Sequence, residues 1–296
     1  MKLLICTQAV DRNDPVLGFF HRWIEEFAKQ CDQVTVICLR KGDYSLPPNV
    51  QVCALGVGNK IYRSLRFLRL ICKLRRQYDR VFVHMNPEYL LLGGLCWRLR
   101  GKKIVFWYTH KAINLRLRVA TLLANVIFTA SKESFRLVSK KVRVMGHGID
   151  TDFFTPDPSA ARGNLVLSVG RLTKSKRHDL AIRAATDAVR ELRIAGEGSE
   201  RDNLERLAQE LGASVQFLGG ITQMQLRDEY RQAAYLVHTS ETGSLDKVVL
   251  EALACGLPVR TQDPALKYLE QASPAYVREH HSLQKLIPAI IKELTV

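Results

Sequence analysis

The sequence predicts an α/β protein built from two doubly wound domains. Three observations carry that expectation. Short, continuously apolar runs alternate with amphipathic segments along the whole chain, as parallel strands covered on both faces require. The alternation stops once, in a Pro- and Asp-rich stretch near residue 150, and then restarts. The chain has 296 residues, 47% of them hydrophobic, which suffices for two cores of ordinary size.

Taken in order, the first half reads as a strand at Leu3–Thr7, a helix near Leu17–Gln30, and strands at Gln33–Leu39 and Val50–Ala54. A basic helix near Ile61–Gln77 follows, then the strand Arg80–His84, a helix near Tyr89–Arg100 and the strand Lys103–Tyr108. A helix near Asn114–Ala124 and the strands Val126–Thr129 and Val142–Val144 complete it. The stretch HGIDTDFFTPDPSAARG, residues 147–163, reads as a linker because Pro156, Pro158 and Gly163 break either period. The second half offers strands at Leu165–Val169, Leu192–Ala195, Val215–Leu218, Tyr235–His238 and Val259–Thr261. Helices at His178–Thr186, Glu200–Leu211, Gln223–Ala234 and from Asp246 onward lie between them. Helical tails at Ala265–Gln271 and Ser282–Leu294 close the chain. The domains are placed at 1–152 and 153–296, with the helix 282–294 free to return to the first domain. In such sheets ligands sit at the carboxyl ends of strands, so two of them imply a cleft.

Net charge is +15 and lies on one side of that boundary. Residues 1–150 hold 26 Lys/Arg against 10 Asp/Glu, and the remainder 18 against 19. An anionic partner for the first domain alone is expected, whether nucleic acid, anionic lipid or a phosphorylated substrate. The seven cysteines are scattered, odd in number and without a CxxC pair, which reads as buried reduced thiols. With a strand-like MKLLICT at the start and no signal-peptide pattern, this predicts a cytoplasmic protein. No apolar run reaches the roughly 18 residues of a membrane span.

Three strand ends in the second half carry candidate chemistry. VGRLTKSKR, residues 169–177, puts Gly170 at a strand end and Arg171 and Lys176 on the loop before a helix. Two cations there would neutralise a diphosphate and stabilise its departure, a solvated basic loop being the alternative. AGEGS, residues 195–199, is a glycine turn around Gly196. It lacks the full GxGxxG spacing, since Arg201 stands where the third glycine would be, and a tight turn is the plainer reading. SETGSLDKVVLEALACGLP, residues 240–258, is a polar turn opening onto a helix with Asp246 and Glu251. A helix start offers unpaired N–H groups and a positive dipole end to an anion, and Glu251 could take hydroxyls of the same ligand. Phosphate and polyol on one element suggest a nucleotide sugar.

GRLTKSK, HDLAI, IAGEGSERDNLERL, VQFLGGI and LEALACGLPV, in this order and spacing, resemble glycosyltransferase family 4. The resemblance is specific over Leu165–Val259. It is weaker before that, where GHGIDTDFF resembles the family's linker and FTASKESFRL the segment ahead of it. It implies a GT-B fold, two Rossmann-like domains facing a central cleft, and retaining transfer. It further implies that Arg171 and Lys176 bind the donor diphosphate and that Glu251 bonds the ribose. The backbone around Leu245, Asp246, Lys247 and Val248 would hold the distal phosphate, and Leu218 with its neighbours would line the base pocket. The family usually has a sugar-contacting glutamate eight positions before the one matching Glu251. Here that position is Gly243, so the contact falls to backbone at Gly243–Leu245 with Ser244 or Glu241, a solvated acid being the other reading of Glu241.

In the first half, His110 ends a strand where family members often turn a histidine toward the donor sugar, a surface histidine being the alternative. Asp150-Thr151-Asp152 has the look of a DxD metal site, but it sits in the linker pattern. No metal and no cofactor beyond the donor are expected. On the helix 61–77, Arg63, Arg66, Arg69, Lys73 and Arg76 largely oppose Phe67, Leu68, Ile71 and Leu74. Such a helix can lie on an anionic membrane, pack on a sheet with a solvated basic face, or do both. Its aliphatic character argues against nucleic acid, which calls for basic residues among exposed aromatics.

The expectation is therefore a metal-independent, retaining hexosyltransferase moving sugar from a UDP- or GDP-sugar to a glycan or lipid-linked acceptor. Its setting would be cell-surface polysaccharide or glycolipid synthesis, at or near the inner membrane face. The rivals are a GT-B nucleotide-sugar epimerase and a non-catalytic membrane- or nucleic-acid-binding relative.

Overall fold

A computed structural model describes residues 1–240, 243 and 245–295. The chain divides into two compact units, Met1–Gly148 with Leu283–Val296, and Ile149–Ser282. The division falls just ahead of the 152/153 boundary read from the linker. Ile149 already belongs to the second unit: its N–H donates to His281 O at 2.7 Å, and it bridges Ser282 in parallel.

The first unit holds β1 (Lys2–Val10), β2 (Gln33–Lys41), β3 (Val50–Ala54), β4 (Arg80–His84), β5 (Lys103–Trp107), β6 (Val126–Thr129) and β7 (Val142–Val144). Their order is β3-β2-β1-β4-β5-β6-β7, with every ladder parallel. Alternate residues face opposite cores, as a pleated strand requires. Leu3 and Ile5 of β1 point to one core with Phe82 and Val105. Leu4 and Cys6 point to the other with Val81 and Phe106. The first core is capped by α1 (Gly18–Gln30) and by the carboxy-terminal helix Leu283–Thr295. That helix buries Leu283, Leu286, Ile287, Ile290 and Leu294, and Arg80 Nε reaches its Leu294 carbonyl at 2.7 Å. The second core is covered by α2 (Lys60–Lys73), α3 (Pro87–Leu99) and α4 (Leu115–Leu123).

The basic helix is shorter than the 61–77 expected. Leu74 N–H closes its last turn on Leu70 O, and Tyr78 takes the Ile71 carbonyl at 2.9 Å, so Arg75 and Arg76 lie in the following turn. The strand expected at Leu3–Thr7 runs on to Val10, because β2 continues beside it as far as Lys41.

The second unit repeats the architecture with five strands. They are β8 (Val166–Val169), β9 (Leu192–Ala195), β10 (Val215–Gly219), β11 (Tyr235–His238) and β12 (Val259–Thr261), ordered β10-β9-β8-β11-β12 and all parallel. Here α5 (His178–Asp187) and α6 (Arg201–Glu210) cover one face, while α7 (Gln223–Gln232), α8 (Lys247–Ala254) and α9 (Pro274–His280) cover the other. The loops leaving β8 and β11 therefore run to opposite faces. That is the switch point where a doubly wound sheet opens a crevice at its carboxyl edge. The tail expected as a helix at Ala265–Gln271 is a 3-10 turn, Pro264–Gln271. The helix α9 lies outside the helices the sequence predicts, although Ser273 caps it and Pro274 opens it.

Candidate functional site

At the carboxyl edge of the second unit, the loop from β8 and the loop from β9 are zipped together by backbone. Gly170 N–H donates to Ala195 O at 3.0 Å, Leu172 N–H to Glu197 O at 2.9 Å and Glu200 N–H to Leu172 O at 3.0 Å. This packing explains the AGEGS turn. A Cβ on Gly196, at φ +146, would stand 1.9 Å from the Gly170 carbonyl oxygen, and one on Gly198 would stand 2.2 Å from that of Leu172. The glycines let one loop lie directly on the other.

The β8 loop then makes a 3-10 turn at Lys174–Lys176 and enters α5 through Arg177 at φ +51. This turn carries Lys176 to the start of α8. Lys176 Nζ lies 2.5 Å from Asp246 Oδ2, and the same oxygen meets His238 Nε2 at 2.9 Å. His238 Nδ1 lies 2.9 Å from Thr261 Oγ1, and Thr239 Oγ1 donates to the Lys176 carbonyl at 2.9 Å. One connected cluster thus joins the ends of β8, β11 and β12. Burial would raise the Asp246 pKa, but the hydrogen bond from His238 and the Lys176 charge outweigh it and hold the carboxyl at about 2. Asp246 is the N-cap of α8, and an anion at that first turn meets the positive end of the helix dipole. A phosphate arriving there would share Lys176 with Asp246.

Beneath the helix start, Glu251 is only 2% exposed. Its Oε2 accepts from the Tyr230 hydroxyl at 3.3 Å and its Oε1 pairs with Lys247 Nζ at 2.6 Å. Leu245 is buried and Val248 packs against the same core, so these two can offer backbone only. Gly243, at φ +58, donates its N–H to Asp263 Oδ2 at 2.5 Å. The left-handed backbone gives a physical reason for glycine at this position. Glu241 and Ser244 lie outside the described residues.

Arg171 is exposed at the end of β8, five residues ahead of Lys176 on the same loop. Leu218 is half-buried at the end of β10 beside Gly219. His110 belongs to the first unit, is exposed, and accepts from the Ala112 N–H at 3.1 Å through Nδ1. Asp150 Oδ1 accepts from the N–H groups of Asp152 and Phe153, at 3.3 and 3.4 Å, which is a turn contact. Among the described residues no three His, Cys, Asp or Glu side chains gather in metal-binding reach. His238, Thr239, Thr261 and Asp263 were not singled out from the sequence. A histidine ending an apolar strand was the available signal, but its partners come from other strands.

A family model described as "Glycosyl transferases group 1" matches residues 151–291. The chain is 36% identical to a D-inositol 3-phosphate glycosyltransferase of Frankia alni, over 40% of this chain and 35% of that one. It is 26% identical to the sulfoquinovosyl transferase SQD2 of Arabidopsis thaliana, over 58% of this chain and 35% of that one. The chain spans about a third of the length of these curated relatives. Among solved structures, Anabaena Alr3699/HepE in complex with UDP and glucose is similar over the full length of both chains, with a TM-score of 0.77 and 16% identity. Two parallel α/β units and this likeness give the chain the GT-B fold.

Proposed function

We propose that this chain transfers a sugar from a nucleotide sugar, with the donor's diphosphate bound at the carboxyl edge of the second unit. The observation that carries the reading is the contact that brings Lys176 to the first turn of α8 at the sheet's switch point. A cation, a helix N-terminus and the exposed Arg171 on one loop suit a departing diphosphate, whose charge grows as the glycosidic bond breaks. Retention of configuration fits the same arrangement. If the sugar leaves and is attacked on one face, the departing phosphate can accept the acceptor's proton, and no protein base is needed. In this reading Arg171 and Lys176 stabilise the leaving group.

The similarity to "Glycosyl transferases group 1" over residues 151–291 supports donor chemistry in the second unit. The UDP held by the structural neighbour makes uracil the first base to test, with guanine next. The acceptor is read as a glycan or lipid-linked molecule, and the reaction as free of metal. The basic helix α2 supports a peripheral place on an anionic membrane at the cytoplasmic face. No helix among the described residues is long and apolar enough to cross a membrane.

Thermal shift with a panel of nucleotides and nucleotide sugars tests the donor site. A ligand at 100 times its Kd stabilises the native state by about 2.7 kcal/mol. UDP or GDP should raise the melting temperature of the native protein. Arg171→Ala and Lys176→Ala should lose most of that rise and of donor turnover. Near-normal turnover in both variants would remove the diphosphate assignment.

A further inference from the structure

The first unit has a pocket of about 410 Å³ at its own carboxyl edge, beyond β2, β3 and β4. Leu39, Leu55, Phe67, Tyr89, Leu91 and Leu92 form apolar wall, and the N-terminal turn of α2 forms its rim. Three cations also line it: Lys60, Arg63 and Arg116. Arg116 is paired with Glu88 at 2.9 Å and Arg63 Nε donates to Gly58 O at 2.7 Å, while Lys60 is exposed in the first turn of α2. The pocket thus joins an aliphatic and aromatic wall to a net positive rim with a helix N-terminus in it, the two halves of a site for an anionic amphiphile.

Where such a molecule would come from is written on the neighbouring surface. Leu91 lines the pocket and is 38% exposed. Leu95 and Leu99 continue from it along α3 at helical spacing, 62% and 79% exposed. Beside them Ile61 and Leu65 on α2, and Leu115 and Leu122 on α4, are also exposed. Arg66, Arg69, Arg98 and Arg118 stand exposed on the same three helices. Exposed leucines among arginines on one helical layer suit the boundary of an anionic bilayer.

We propose that this pocket binds the phosphate end and the first part of the hydrocarbon chain of a lipid phosphate, entering from the leucine stripe of α3. The pocket thereby supplies an acceptor class for the sugar-transfer reading and rests on it in that respect. The recognition chemistry is a phosphate monoester or diester against Lys60 and the α2 N-terminus, with the chain against Phe67, Leu91 and Leu92. A free phosphate lacks the chain, and an alcohol of the same chain lacks the charge.

The test is calorimetric titration of the full chain with dodecyl phosphate below its micelle-forming concentration, against inorganic phosphate and dodecanol. Dodecyl phosphate should bind more than about tenfold tighter than either control. Ser64→Phe, which fills the pocket, and Lys60→Ala should each weaken it by about tenfold or more. Leu95→Gln, on the stripe but outside the pocket, should keep it. Equal binding of inorganic phosphate would reduce the site to a simple anion site. Equal binding of dodecanol, or unchanged binding by Ser64→Phe, would show unspecific adsorption, and either result overturns the proposal. UDP binding measured on the same samples separates the two readings. In the native chain, UDP binding without dodecyl phosphate binding condemns this pocket alone, while absent UDP binding condemns the donor site.

Discussion

Lys176 Nζ lies 2.5 Å from Asp246 Oδ2, and this contact ties the loop after β8 to the N-cap of α8. Both side chains are 18% exposed, so the pair is screened far less than a surface ion pair. Asp246 has its pKa lowered from 3.8 to about 2, despite burial, by His238 and Lys176. Because the folded value lies below the unfolded one, the stabilisation is complete above pH 4 or so and is lost as pH falls through the folded pKa. Linkage sets its size at about 2 kcal/mol. Asp246→Asn should lose that amount at pH 7 and converge on the native protein near the folded pKa, read by urea unfolding across pH.

The opposite group is His178, buried on α5 with Nδ1 2.9 Å from Ser168 Oγ. Burial outweighs the nearby backbone of Arg171 and Gly170 and lowers its pKa from 6.5 to about 4. The neutral ring is the folded form. Stability is therefore undiminished above pH 6.5 and falls as pH drops toward 4, by about 3 kcal/mol in all. His178→Asn should flatten that limb. The variant-minus-native difference in unfolding free energy, followed from pH 7.5 or so downward, checks it.

Gly196 tests the zipped loops. An alanine there would drive its Cβ to 1.9 Å from Gly170 O at a positive φ, which should cost more than about 3 kcal/mol and weaken UDP binding with it. Gly212→Ala is the control. Its φ is +60 but nothing lies within 4 Å, so only the backbone penalty of about 1 kcal/mol is expected. Paired denaturation curves decide between packing and conformation as the cause.

The carboxy-terminal helix should be integral to the first unit. Ile290 is fully buried against that unit's core, so Ile290→Ala should cost about 2–5 kcal/mol. Hydrogen exchange should show the loss spreading through α1 and β1. Protection loss confined to residues 283–295 would contradict this packing.

Much of the fold was legible because local patterns and tertiary roles agree. Continuous apolar runs such as Ile104–Trp107 are buried on both faces in β5, the environment that selects such runs. The helix α9 is not legible in the sequence because Ser273-Pro274 is a start signal without a long periodic stretch behind it. The end of α2 is hidden in the sequence because its basic residues continue past Lys73, while the stop is made by Tyr78 reaching back to Ile71.

The candidate site was legible one strand at a time. From residue order alone it follows that Lys176 comes after one strand, that Asp246 opens a helix after another, and that Gly196 and Gly198 mark a turn. Spacing along a chain carries that information, since strand ends and helix starts have local signatures. Folding is needed to see that Asp246 holds Lys176 and His238 together, that Glu251 is buried against Tyr230, and that Gly196 serves a neighbouring loop. Those relationships join residues 8 to 70 positions apart in sequence. They arise where parallel strands end side by side, and strand order is set by packing across the whole sheet, not by any segment within it.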